Sequence, residues 1–217
     1  MVNNHAFAKG ETFLLSKKNN FFLLYLSKIF YYIIKKILKY IVSDSFKNSN
    51  IKSNDLKLGY NAWCHNNKSS TNVKLGNGVV CRGVIRIEDW ANGNIVISDN
   101  VYIGDNVIIS VADSIYIGNN VLIAHGVQIF DNNTHPTNNY ERLEDYNSIK
   151  SDSKKSINVK SKKIIINDNV WIGFNSTILK GVNIGKNSII ASNSLITSDV
   201  PENSIYGGNP AKLLKSI

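Results

Sequence analysis

Residues 164–197 read IIINDNVWIGFNSTILKGVNIGKNSIIASNSLIT, with isoleucine at 166, 172, 178, 184, 190 and 196, six apart without a break. An α-helix of 3.6 residues per turn cannot hold a period of six on one face, and a plain strand repeats every two residues. A period of six describes a solenoid. Each hexad is a short strand plus a corner, three hexads close one triangular coil, and the recurring isoleucine points inward so that stacked coils share a core. The same register runs upstream through Leu75, Cys81 and Ile87, then Ile97, Ile103 and Ile109, then Ile117, Ile123 and Ile129. Gly-Asp-Asn at 104–106, Gly-Asn-Asn at 118–120, Asn-Asp-Asn at 167–169 and Gly-Lys-Asn at 185–187 supply small or left-handed-tolerant residues for the corners. The pattern predicts about five coils between residues 73 and 201, with extra residues near 88–94 and 111–114 and a long excursion at 131–163. Composition agrees, because the chain holds 32 Asn and 30 Ile against three Pro, a mixture suited to short strands and tight corners.

Outside the repeats the sequence has another character. The 217 residues carry a formal charge of +9, but residues 1–57 hold ten basic and three acidic residues, leaving residues 58–217 at +2. A basic, apolar N-terminal segment is thus joined to a nearly neutral β domain, with the boundary expected near residue 58. At its centre lies FFLLYLSKIFYYIIKKILKYIV, residues 21–42, in which Lys28, Lys35 and Lys39 share one helical face. Its longest uncharged run, Asn19 to Ser27, falls short of the ~20 apolar residues of a membrane span. Two readings stay open for residues 13–42: an amphipathic helix lying in a membrane interface, and a helix packed on the protein's own core or on a neighbouring subunit. Two cysteines are too few for a disulfide framework and the start MVNNHAFAKG lacks the form of a secretory signal, so a cytoplasmic location is expected, peripheral to the plasma membrane under the first reading. With 43% apolar residues the chain is no disordered tail. No P-loop, dinucleotide glycine fingerprint or Cys/His metal-ligand spacing occurs, and charge confined to one segment argues weakly for nucleic acid.

The block Asn169-Val-Trp-Ile-Gly173, the hexads that follow it and the ending Gly207-Gly-Asn-Pro-Ala-Lys212 resemble the hexapeptide-repeat acyltransferases, most closely their galactoside, maltose and xenobiotic O-acetyltransferase group. The resemblance covers about residues 70–217. It implies an all-β fold, a left-handed parallel β-helix, and a homotrimer with an active site between each pair of neighbouring subunits. It further implies acetyl-CoA as the acyl donor, and no metal is expected because no Cys/His ligand spacing occurs.

Moving an acetyl group from a thioester to a hydroxyl requires a base, a donor for the developing oxyanion and a groove for the carrier. Of the four histidines, His5 lies near the terminus, His65 precedes the regular repeats and His125 occupies a hexad corner. His135 instead follows the interruption of the solenoid, and a long excursion from a rigid repeat is where a functional loop is expected. The resemblance places the catalytic base of the group in a stretch Asp-x-Asp-x-His-Pro, matched by Asp131, Asn133, His135 and Pro136, with Asn133 where Asp is common. His135 is the expected general base, and Asp131 or a backbone carbonyl is expected to fix its tautomer. Trp171 is expected to wall the acceptor or the pantetheine arm, or else to pack between subunits.

Carried over by position, the pantetheine contacts fall near Gly173, Ser192, Thr197 and Ser198, and the cation for the nucleotide end at Lys212 or Lys215. Phe174, where a small residue is usual, and Ser198, where Lys often follows Thr, depart from the group's pattern. The excursion beyond Thr137, with Lys150, Lys154, Lys155, Lys160, Lys162 and Lys163, is expected to form a flap. Cys81 stands on an inward position and argues against a thiol nucleophile. The leading expectation is an acetyl-CoA-dependent O-acetyltransferase acting on a sugar, in surface polysaccharide modification. A sugar N-acetyltransferase, a xenobiotic acetyltransferase and an inactive β-helix scaffold are the alternatives.

Overall fold

The structure is a computed structural model that describes residues 17–52, 55–151 and 158–217, with side chains of the first helix described from Leu23 onward. His5, Lys154, Lys155 and residues 13–16 of the expected interfacial segment lie outside the described residues. The chain divides into two compact units, Met1–Leu38 and Lys39–Ile217. The first consists, as described, of the greater part of helix α1 (Lys17–Ser45).

The second unit is a three-faced parallel β-helix of six coils. The coils are formed by β1 (Asn50–Ile51), β2 (Lys57–Leu58) and β3 (Trp63–His65); β4 (Val73–Leu75), β5 (Val80–Cys81) and β6 (Val84–Ile87); and β7 (Asn94–Ile97), β8 (Tyr102–Ile103) and β9 (Ile108–Val111). They continue through β10 (Ser114–Ile117), β11 (Leu122–Ile123) and β12 (Gln128–Phe130); β13 (Ile164–Ile166), β14 (Trp171–Ile172) and β15 (Thr177–Leu179); and β16 (Asn183–Ile184), β17 (Ile189–Ile190) and β18 (Leu195–Ile196). The first strand of every coil lies in one sheet, the second in another and the third in the last; we call these faces A, B and C. A closing hairpin of β19 (Ser204–Gly208) and β20 (Ala211–Ser216) extends face B, β19 parallel to β17 and β20 antiparallel to β19.

The inward columns follow the hexad register. On face B, Leu58, Cys81, Ile103, Ile123, Ile172 and Ile190 are aligned neighbours, and on face C the column runs Cys64, Ile85, Ile109, Ile129, Ile178 and Ile196. Apart from half-buried Leu58, these side chains are buried in one continuous core, each contributing roughly 1.5–3 kcal/mol for a fully buried aliphatic residue. Coil one precedes the expected start of the repeats at residue 73. In it Ile51, in register with Leu75 but exposed, stands seven residues before Leu58, so the single hexad step from Leu58 to Cys64 does not announce it. Below it, Val42 of α1 and Phe46 just beyond its end join the same core, and Ser45 Oγ accepts a hydrogen bond from the Cys64 amide at 3.2 Å.

The corners explain the asparagines. Between faces A and B, Gly78, Asn100, Asn120, Asn169, Asn187 and Asn203 all have positive φ; between B and C the same conformation falls to Asn106, Gly126, Asn175 and Asn193. Each of these asparagines accepts a conformation that other side chains enter at a cost, and their amides also stack. Asn169 Nδ2 donates to Asn187 Oδ1 at 3.2 Å and Asn187 Nδ2 to Asn203 Oδ1 at 2.9 Å.

Asn187→Gly loses the side-chain bonds but relieves the Cβ strain of the corner, whereas Asn187→Ala loses the same bonds and leaves a Cβ at φ 61° without the asparagine amide that makes this conformation tolerable. The alanine variant is expected to lose about 2 kcal/mol of stability and the glycine variant about half that, measured from urea-unfolding midpoints.

Candidate active site

The long excursion leaves the solenoid at the corner between faces C and A, after β12, and returns at β13. Its neck is closed by backbone pairing: Asn133 N donates to Lys160 O at 3.0 Å, Lys162 N to Asp131 O at 2.7 Å, and Asn132 bridges Ser161. Within it, helix α2 (Asn139–Lys150) is started by Asn138, whose Oδ1 accepts from the amides of Tyr140 and Glu141. Glu141 in the first turn and Lys150 in the last complement the helix dipole.

Helix α2 folds back on the turn that carries His135. Arg142 Nη1 donates to the carbonyls of Pro136 and Thr137 at 3.2 and 3.1 Å. Asp145, one turn further on, places Oδ2 at 2.6 Å from His135 Nδ1. The Asp145 side chain is 2% exposed and that of His135 56%. A carboxylate can only accept, so the pairing sets the proton on Nδ1 and leaves the Nε2 lone pair facing outward. The backbone cooperates, because His135 N donates to Asn133 O at 2.7 Å around Thr134, which stands at φ 62°. That conformation is strained for a β-branched residue, and two bonds hold it: Thr134 N to Asn132 Oδ1 at 2.9 Å and Thr134 Oγ1 to Asn133 O at 2.6 Å.

Asp131 does not orient His135. Its carboxylate is fully buried and accepts from the amides of Ala112 and Asp113 at 2.8 and 2.9 Å and from Asn132 Nδ2 at 3.1 Å. Burial pushes its carboxyl pKa up against the pull of those donors. Its oxygens are spent on fastening the neck to the coil beneath, and Asp145 takes the role expected of it. Asn133 contributes through its backbone, at the neck and at the His135 turn. Further under the loop, Ser110 Oγ donates to Glu88 Oε1 at 2.6 Å and accepts from Asn132 Nδ2 at 3.0 Å. Asp145, Arg142 and Thr134 were not among the residues singled out by sequence. The Asn138 cap followed by Glu141 was the available sign of a helix that returns a carboxylate to His135.

The other expected site residues occupy two different edges. Thr197 and Ser198 follow β18 on the C–A corner, the same edge as His135, and are exposed. Trp171 is half exposed on the outer side of face B, between Leu122 and Ile189 in register. Gly173 and Ser192 meet at the B–C corner, where a Cβ on Gly173 would come within 2.6 Å of Ser192 N. Phe174 beside them stacks on His125, ring centroids 5.7 Å apart and planes 11° from parallel. Lys212 and Lys215 lie exposed on β20, opposite Gly207 and Ile205 at the edge of face B. One chain therefore does not gather all these residues into a single groove.

His65 sits on face C three strands away from β12, roughly 14 Å at the usual strand spacing, and burial with nearby Arg86 pushes its imidazole pKa down. Lys162 lies across Gly181 at the loop's return, while Lys160 and Lys163 are exposed. Among the described residues no group of three or more His, Cys, Asp or Glu is placed to hold a metal ion.

A family model, bacterial transferase hexapeptide (six repeats), matches residues 163–198. The chain is 30% identical to Escherichia coli K12 WbbJ, provisionally named a lipopolysaccharide biosynthesis O-acetyl transferase, over 68% of this chain and 74% of that protein. It is 32% identical to the galactoside O-acetyltransferase of Lactococcus lactis IL1403 over 70% of this chain, but spans only 56% of that enzyme's length. Among solved structures, the hexapeptide-repeat acetyltransferase VCA0836 of Vibrio cholerae is 32% identical with a TM-score of 0.52, covering 65% of this chain and 72% of that one.

Burial pushes the Cys81 thiol up to about 12 and raises that of Cys64 as well. Neither thiol is expected to react with iodoacetamide at pH 8 in the folded protein, and both should react in urea. Intact-mass spectrometry reads this directly.

Proposed function

The chain belongs to the hexapeptide-repeat acetyltransferases, and on that premise we propose that it transfers an acetyl group from acetyl-CoA to a hydroxyl of a sugar, with His135 as general base. The observation that carries this reading is an exposed imidazole held at 2.6 Å by a buried carboxylate, on a loop braced at both ends. Proton on Nδ1 and lone pair on Nε2 is the state that general-base catalysis requires. In this reading Nε2 takes the proton of the acceptor hydroxyl as its oxygen attacks the thioester carbonyl. The carbonyl re-forms as the C–S bond breaks, and the proton passes to the departing CoA sulfur. Asp145 steadies the imidazolium formed in between. It acts through His135 and is a positioning residue.

The split of the remaining candidates between two edges supports a homotrimer as the working unit. His135, Thr197 and Ser198 would line one wall of a cleft, and Trp171, Gly173, Ser192, Lys212 and Lys215 of a neighbouring copy the other. Small residues suit the narrow pantetheine, and the lysines at the edge of face B suit the phosphates of CoA. Tyr140, Leu143, Tyr146 and Ile149 of α2 are all exposed, offering apolar contacts to the acceptor or to the neighbouring subunit. A sugar unit of a surface polysaccharide as acceptor draws its support from the likeness to WbbJ.

His135→Ala is expected to lower turnover by about 10²–10⁴-fold with the assembled mass unchanged in light scattering. CoA release from acetyl-CoA over a panel of sugars, amino sugars and antibiotics measures it. Release with no acceptor in the panel, or near-normal release by the variant, would sink the reading. Asp145→Asn should lower kcat about 10-fold or more and leave KM for acetyl-CoA nearly unchanged, since the residue touches neither reactant. An equal loss from Asp131→Asn with an intact fold would reassign the positioning role.

A further inference from the structure

The solenoid core takes in only the C-terminal end of α1. From Leu23 to Ile41 the helix is exposed almost throughout, including Leu24 at 58%, Phe30 at 66% and Tyr40 at 75%. Its surface is nonetheless ordered by chemistry. At 100° per residue, Lys28, Lys35, Lys36 and Lys39 fall within an arc of about 100°, shared with Tyr25 and Tyr32. Most of the remaining circumference is aliphatic or aromatic, and Leu23, Leu26, Ile29, Phe30 and Ile33 line a continuous apolar groove along it. Lys35 and Lys36 lie over the rings of Tyr31 and Tyr32, 4.3 and 4.9 Å from their centroids. Between Thr12 and Ser43 the sequence has six lysines and no acidic residue.

We propose that α1 is a docking helix for an anionic lipid surface, its apolar side sunk into the acyl boundary and its lysines set among the headgroups. Length and sign of charge single out this occupant. The described helix has 29 residues, about 44 Å, but none of the described helices is long and apolar enough to cross a membrane. Lys28, Lys35, Lys36 and Lys39 break its apolar runs, so it lies in the interface and does not span. A helix built to bury its apolar side on the same segment of a second copy would meet six further lysines there, in a stretch from Thr12 to Ser43 that holds no acidic residue. An anionic surface gains from each, by a factor of about five per lysine. Tyrosines beside the lysines suit the headgroup layer, where a ring is buried and its hydroxyl wetted.

The full-length chain is tested by co-sedimentation with vesicles of phosphatidylcholine alone and of phosphatidylcholine with 30% phosphatidylglycerol. Binding is expected to the anionic vesicles, weak binding to the neutral ones, and loss of most of the difference in 0.5 M salt. Lys35→Gln/Lys36→Gln should weaken the anionic partition about 30-fold, and Phe30→Ser/Ile33→Ser should abolish it, with circular dichroism and CoA release unchanged in both. A chain that stays in the supernatant with anionic vesicles overturns the proposal, as does binding that ignores salt and both substitutions. A fall in assembled mass for Phe30→Ser/Ile33→Ser, without vesicle binding by the parent, assigns the apolar side to another copy of the chain and equally overturns it.

Discussion

A β-helix is bound coil to coil by lateral hydrogen bonds, so extra residues can leave the stack only at a corner and must return in register one coil higher. Here a 33-residue excursion separates Phe130 from Ile164, and the placing of His135 follows from how that gap is closed. Asp131 spends its carboxylate on the amides of Ala112 and Asp113, fixing the departing strand to the coil beneath. The backbones of Asn132 and Asn133 then pair with Ser161 and Lys160, so the loop is shut at its neck. The open part of the loop then begins at Thr134, one residue before the histidine.

That closure turns a flexible insertion into a mount. An exposed histidine on a free loop would sample many rotamers and both tautomers. His135 is constrained from three sides: by the turn at Thr134, by the Arg142 clamp on Pro136 and Thr137, and by the Asp145 carboxylate. The strain at Thr134 is supported by the neck bonds of Asn132, which also reach Ser110 and through it Glu88. A polar chain thus runs from the outer side of face C to the backbone beneath the imidazole. The proposed base is exposed where a substrate must reach it and buried where its orientation is set.

How much of this was legible follows from which interactions are local in sequence. The inward column from Ile97 to Ile196 and the corner asparagines are dictated within each hexad, since one side chain must fill the core and one residue must turn with positive φ. Both were readable from period and residue type alone. The first coil escaped because Ile51 stands seven residues before Leu58 and the one hexad step, Leu58 to Cys64, is not repeated, although these residues align with the same columns. The partner of His135 escaped for a different reason. Asp131 sits four residues before the histidine and looks the natural choice, but the corner geometry consumes its oxygens. Asp145 reaches His135 only because α2 reverses the chain, a tertiary event that spacing does not encode.

The two edges carrying the candidate residues impose a last constraint. Successive faces of a triangular coil point outward in directions roughly 120° apart, so a substrate lying along the C–A corner of one chain faces away from that chain's own Trp171 and Lys212. A carrier as long as CoA needs both a reactive end near His135 and a cationic end elsewhere, and in one chain the solenoid stands between them. Copies arranged about an axis parallel to the solenoid remove the obstacle, because the C–A edge of one then meets face B or the B–C edge of the next. The triangular section that makes the fold rigid is thus also what makes a single chain an incomplete enzyme under the proposed chemistry.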